Sequence, residues 1–261
     1  MSGLTSAPSA MTPLPELLTG YGFSAAKAEL WAHFIEAAVA ILHEAADELR
    51  TPDAWAAFGL KRGALGAPKT RRRRKVVERV PLEDALTTEL GHITRRLRAT
   101  LPAGHFLRLH DVAFEVEHHI LSSDRAGRHS RKVDFLIYSQ IGIDAPELAI
   151  EAKPLLSLGD VTGRYLGEEG IGCFFTPDST YSTRPVAAML AYTVDSSGQS
   201  YGPQIRSALA AFAPTPLSLD EAMLSTGSGF ACSRHDRTTL NLDPVAILHF
   251  ELVFAPEATP M

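Results

Sequence analysis

Cysteine is nearly absent. The 261 residues contain two, Cys173 and Cys232, far apart and in no Cys-x-x-Cys pair. That spacing excludes a disulfide framework and the usual structural zinc sites, and a reducing cytoplasm is the expected compartment. No run of 18 apolar residues occurs; the longest candidate, 31–49, is broken by His33, Glu36, His43, Glu44, Asp47 and Glu48. A membrane span is therefore not expected. The opening MSGLTSAPSAMTPLPELL has neither a basic stretch nor an apolar stretch of signal-peptide type, so no secretory leader is expected. The glycines between Gly159 and Gly172 neither form GxGxxG after a strand nor lead into Gly-Lys-Ser/Thr, which excludes dinucleotide and P-loop readings. Gly227-Ser228-Gly229 is not a nucleophile elbow, and no serine hydrolase is expected.

Apolar residues make up 45% of the chain and charged residues 21%, ordinary values for a globular protein with a sizeable core. The length fits one large domain, or a core with a smaller appendage. Charge is unevenly spread. Between Lys61 and Arg79 stand nine basic residues and one acid, a segment of +8 in a chain of −5, which leaves −13 elsewhere. A mildly acidic body with one dense basic stretch permits a localised phosphate contact. Within that stretch Arg71, Arg72, Arg73, Arg74 and Lys75 read either as a solvated loop or as a track for a DNA or RNA backbone.

Residues 1–15 are rich in Ser, Thr and Pro and are expected to be disordered. Ser24 is placed to cap a long helix in which Leu30, Trp31, Phe34, Ile35, Ala38, Val39, Ile41, Leu42, Ala45 and Leu49 recur at helical spacing. Packing against the core is the favoured role for that face; a homo-oligomer or partner-protein contact is the other. A short helical turn follows through Trp55 and Phe58, then a linker marked by Gly63, Gly66 and Pro68. Pro81 suits the first turn of the next helix, with Leu82, Leu86, Leu90, Ile93 and Leu97 facing inward. Val112 to Glu117 alternates as a strand, with Glu115 and Glu117 on its second face, and Ser122 to Arg131 reads as a hairpin connection. Glu117 is a second-rank site candidate.

The chemistry concentrates in two further strands. Asp134 stands inside the apolar run Val133 to Tyr138, and Leu148-Ala149-Ile150 leads into Glu151-Ala152-Lys153. Residues i and i+2 of a strand share a face, so Glu151 and Lys153 project together, and a neighbouring strand brings Asp134 to them. A charge within an apolar strand is costly unless paired or metal-bound. Two carboxylates and one ammonium at one end of a sheet can hold a divalent cation beside a phosphate.

Asp134, Glu151 and Lys153, preceded by a helix and a strand, resemble the PD-(D/E)xK, or restriction-endonuclease-like, nuclease superfamily over roughly residues 80–195. The resemblance implies an α/β (α+β) fold, a mixed central sheet flanked by helices, with residues 1–60 an N-terminal helical region, 61–80 a basic linker and 81–261 the nuclease-like domain. It implies Mg²⁺ or Mn²⁺ held by Asp134, Glu151 and the Ala152 carbonyl, with Lys153 acting on the attacking water or the developing charge. It also implies a helix carboxylate beside the site, Glu83 or Glu89, and DNA as the substrate. The stretch from Gly170 to Tyr192 is similar to nuclease-like proteins encoded in bacterial defence loci. A catalytically silent module that binds nucleic acid, or a subunit of a larger assembly, is the alternative.

Downstream, the Gly159–Gly172 glycines are expected at positive-φ turns, and Pro185 is expected to open a crossover helix through Val194. Gly229–Ser233 and Val245–Phe254 read as a closing strand pair. His235 and His249 read as satisfied structural histidines in preference to general bases. Replacing Arg71, Arg72, Arg73 and Arg74 together with Ala is expected to weaken DNA binding and flatten its dependence on salt, measurable by fluorescence anisotropy over a NaCl series.

Overall fold

The computed structural model describes residues 11–62, 82–120, 132–142, 144–175, 180–194 and 198–255. The basic run at 71–75, Pro81 and the whole of the expected 122–131 connection lie outside them. The elements are β1 (Thr12–Pro13), α1 (Leu14–Gly20), α2 (Ala25–Leu49), α3 (Pro52–Arg62), α4 (Leu82–Thr100), α5 (Phe106–Leu109), β2 (Val112–His119), β3 (Lys132–Ser139), β4 (Glu147–Leu155), α6 (Leu158–Asp160), β5 (Val186–Val194), α7 (Gly202–Ala210), β6 (Ser218–Met223), β7 (Gly229–His235) and β8 (Val245–Phe254). All eight strands join one mixed sheet in the order β1-β6-β7-β8-β5-β4-β3-β2.

Ser24 caps α2 by accepting the Lys27 N–H, and the alanine-rich interior favours helix throughout. The helix stops at Thr51-Pro52, because a residue before proline is driven out of the helical region. Trp31, Phe34, Ile35, Leu42 and Leu49 are buried in the same apolar cluster as Leu86 and Leu90 of α4 and Leu190, Leu248 and Leu252 of the sheet. Each such side chain contributes about 2 kcal/mol by leaving water. The N-terminal helical region thus shares its core with the sheet, and core packing accounts for its apolar face. Arg50 adds a hydrogen bond from Nε to the Val253 carbonyl of β8, 2.7 Å. Residues 12–15, within the stretch expected to be disordered, form β1 and the start of α1, with Leu14 fully buried.

The opposite sheet face is covered by α6, the π-helical turn Val161–Tyr165 that continues it, the 3-10 turn Ile171–Phe174 and α7. All of these but α7, which follows β5, lie between β4 and β5 and make the crossover. Val186–Val194, expected as a helix, is instead the strand β5, parallel to both β4 and β8. Its sequence VAAMLAYTV is buried on both faces, and a continuous apolar run of that kind carries no periodicity to separate strand from helix. The expected closing pair forms, with β7 antiparallel to β8.

None of the glycines from 159 to 172 has positive φ. Close approach accounts for two of them: a Cβ on Gly170 would sit 2.2 Å from the Tyr165 carbonyl oxygen, and one on Gly167 2.8 Å from that of Gly163. At Gly91 the same test meets Val116 at 2.2 Å, which is how closely α4 lies on β2. Gly170→Ala must move backbone, so it is expected to destabilise the fold by about 1–3 kcal/mol; urea unfolding against wild type measures it.

Candidate metal centre

The sheet forks where the charged residues stand. The β3–β4 ladder ends at Phe135 opposite Ile150. Beyond it β3 stays with β2 to Lys132, while β4 follows β5 to Leu155. Asp134 and Glu151 are the first residues past the last rung. There Asp134 Oδ2 accepts the Ala152 N–H at 2.7 Å, so a side chain takes the hydrogen bond on the β4 edge that β3 has left. Ala152 itself turns its methyl into the core.

Lys153 projects beside Glu151, as the two-residue period requires. Its Nζ donates to Glu151 Oε1 at 2.6 Å and to Glu83 Oε1 at 2.7 Å. Glu83 comes from the first turn of α4. One carboxylate oxygen from each of Glu83, Asp134 and Glu151 lies within 4.8 Å of the others. Glu151 Oε2 is buried and has no hydrogen-bond partner. Three carboxylates share one ammonium, a deficit of two positive charges when all are ionised.

The electrostatics follow from that deficit. Burial, with the Glu83 charge against Lys153 and the Ala152 N–H, pushes Asp134 from 3.8 up to about 7. Burial and the Asp134 charge push Glu151 well above the usual carboxylate range. Burial alone would lower Lys153, but the charges of Glu151, Glu83 and Asp134 outweigh it and hold the ammonium above its ordinary value. A divalent cation would supply the missing charge and a partner for Glu151 Oε2. The donor set, all carboxylate oxygen, suits Mg²⁺ or Mn²⁺.

Of the sequence candidates, Asp134, Glu151, Lys153, Ala152 and Glu83 come together. Glu89 does not: it faces a groove with Glu48, His92 and Arg96, six residues and most of two turns along α4 from Glu83. Glu117 lies opposite Asp134 in the β2–β3 register, yet the ladder skips that pair, its φ is +50°, and its carboxylate pairs with Lys132 at 2.9 Å. His235 and His249 are buried and both bond Ser233 Oγ at 2.8 Å, with Tyr165 closing the chain on His249 Nδ1 at 3.1 Å. They are satisfied structural histidines.

Two features escaped the sequence reading. Gly198-Gln199-Ser200-Tyr201-Gly202 does spell Gly-x-Ser-x-Gly, between β5 and α7. Ser200, however, donates its hydroxyl to Glu251 and accepts the Gly202 N–H; with Glu251 taking the Tyr201 and Gly202 N–H groups, the motif serves as a cap for α7. The second is a buried hydroxyl pair, Thr87 on α4 and Tyr192 on β5, 3.0 Å apart. Comparison with protein-family models, with curated proteins and with solved structures finds no match.

Between its ordinary 3.8 and about 7, folded Asp134 keeps a proton that the unfolded chain has released. The Asp134 contribution to metal-free stability therefore falls as pH rises through that window and levels off above it, while Glu151, also raised, adds a slope of the same sign. Burial acts oppositely on His235, lowered to about 4, and His249, lowered to about 3: their stability is present above the ordinary 6.5 and is lost toward acid. Asp134→Asn is expected to cancel only the Asp134 slope, raising metal-free stability at pH 8 by on the order of 4 kcal/mol. Thermal melts in EDTA from pH 4 to 8, wild type minus variant, read the difference.

Proposed function

We propose that this chain is a metal-dependent nuclease that hydrolyses phosphodiester bonds, with DNA as its substrate. The observation that carries the reading is the fork: three carboxylates within 4.8 Å, one ammonium among them, and a buried Glu151 oxygen with no partner. Glu83, Asp134 and Glu151 would hold Mg²⁺ or Mn²⁺, with the Ala152 carbonyl as a neutral oxygen ligand. Bound there, the ion would lower the pKa of a coordinated water and neutralise charge on the phosphate.

Lys153 has one role in this arrangement. Its carboxylate partners keep it protonated, so it serves as a fixed donor and positive charge and not as a general base. It orients the attacking water or stabilises charge developing on phosphorus as the P–O bond to the leaving group breaks. Asp134, bonded to the Ala152 N–H, keeps its carboxylate turned into the fork. On the resemblance of residues 170–192 read from the sequence alone, phage DNA is one substrate to test. A non-cleaving module is the competing reading, and one observation favours it: Lys153 already pairs with Glu83 and Glu151, as a purely structural network would.

The test is cleavage of plasmid and single-stranded DNA with Mg²⁺, Mn²⁺ or EDTA, beside Lys153→Met. The wild type is expected to cut only with a divalent ion, and the variant to lose about a hundredfold or more of that rate. Without metal the variant melts lower, since two carboxylates lose their counter-charge, and Mn²⁺ raises its melt more than that of the wild type. Mn²⁺ binding with no cleavage by the wild type would favour the non-cleaving module.

A further inference from the structure

Glu83 is the only one of the three clustered carboxylates that does not come from the sheet. Asp134 and Glu151 are tied by neighbouring strands, but Glu83 reaches the fork from the first turn of a helix whose preceding residue lies outside those described. Its placement depends on how α4 is rotated and shifted over the sheet. Apolar contacts such as Leu86 and Leu90 tolerate small slides, because dispersion is non-directional. A hydrogen bond does not.

The α4–sheet interface contains such a bond one helical turn from Glu83. Thr87, at i+4, is fully buried and its Oγ1 lies 3.0 Å from the Tyr192 hydroxyl, also fully buried. Tyr192 stands on β5 opposite Pro154, next to the Lys153–Ala191 pair. The bond therefore spans from the helix that carries Glu83 to the strand beside the one that carries Glu151 and Lys153. The Tyr192 hydroxyl is also close enough to feel the cluster: after burial, the charges of Asp134, Glu83 and Glu151 are among the causes that raise its pKa. Two buried hydroxyls are costly unless they satisfy each other, so the pair, with the Lys153–Glu83 bond between β4 and the same helix, favours the seating of α4 that keeps them in register.

We propose that Thr87 and Tyr192 are positioning residues for the metal centre, their hydrogen bond setting α4 on the sheet so that Glu83 meets Asp134 and Glu151 in the fork. This rests on the metal-site reading above, and neither residue touches the ion or substrate.

The experiment is Mn²⁺ titration of the full chain, with free ion counted by electron paramagnetic resonance, in wild type, Thr87→Val, Thr87→Ser and Tyr192→Phe. Each is repeated in a Glu83→Gln background. Thr87→Val and Tyr192→Phe are each expected to weaken Mn²⁺ about tenfold or more, the usual effect of removing a supporting partner, while Thr87→Ser stays near wild type. In the Glu83→Gln background the same changes are expected to have no further effect, since they act through that carboxylate. Tyr192→Phe keeps the ring in the core and secures the result if Thr87→Val folds poorly. Unchanged affinity in folded variants overturns the inference, as does a loss that persists undiminished without Glu83. A wild type that binds no Mn²⁺ overturns the metal reading itself and the inference with it.

Discussion

The ammonium of Lys153 is shared between two carboxylates, with a third close by, in a place where water is scarce. Everything around it is arranged to keep that imbalance tolerable. A lone buried ion pair would balance itself and add little to stability. Here the count is uneven, so protons are drawn onto Asp134 and Glu151 when no cation is present. The fork between β3 and β4 allows the imbalance, because the strands part where the charges begin and leave an edge that Asp134 fills with its own side chain. Continuing the ladder one more rung would give the Ala152 N–H a backbone partner and leave Asp134 without that donor.

The sheet supplies the rigidity that such a site requires. β4, β5 and β8 are buried on both faces over most of their lengths, with α2 and α4 on one side and the α6 crossover and α7 on the other. A site built on strands and one helix is held more firmly than one built on loops. The single part contributed from outside the sheet, Glu83, enters through the helix whose seating the Thr87–Tyr192 hydroxyls restrict.

Much of the site could be read from the chain alone, for definite reasons. The period of a strand puts Glu151 and Lys153 side by side whatever the rest of the fold does, and a carboxylate among Val133, Phe135, Leu136 and Ile137 calls for a partner. Glu83 and Glu89 were harder to separate: both flank the same apolar stripe, and only the position of the fork along α4 chooses between them. β5 was misread because burial on both faces erases periodicity. β6 went unrecognised since SLDEAM mixes polar and apolar residues without a run. Thr87 and Tyr192 are 105 residues apart, and no local pattern links them. The Ser200 motif shows the opposite hazard, since a familiar spacing can serve a helix cap.

The place of β8 has a consequence for how the molecule is made. It is the last of the described strands, yet it lies between β5 and β7, both synthesised before it. Until residues 245–254 emerge from the ribosome, β5 keeps an open parallel edge and the β6–β7 hairpin has no sheet to join. The fork and its carboxylates are complete in sequence by Lys153, but the support beneath them arrives about a hundred residues later, a long-range closure of the kind that slows folding. The nascent chain therefore carries its charged site on an unfinished sheet until β8 is made, and a premature stop before β8 would yield a product prone to pairing with other chains along that edge.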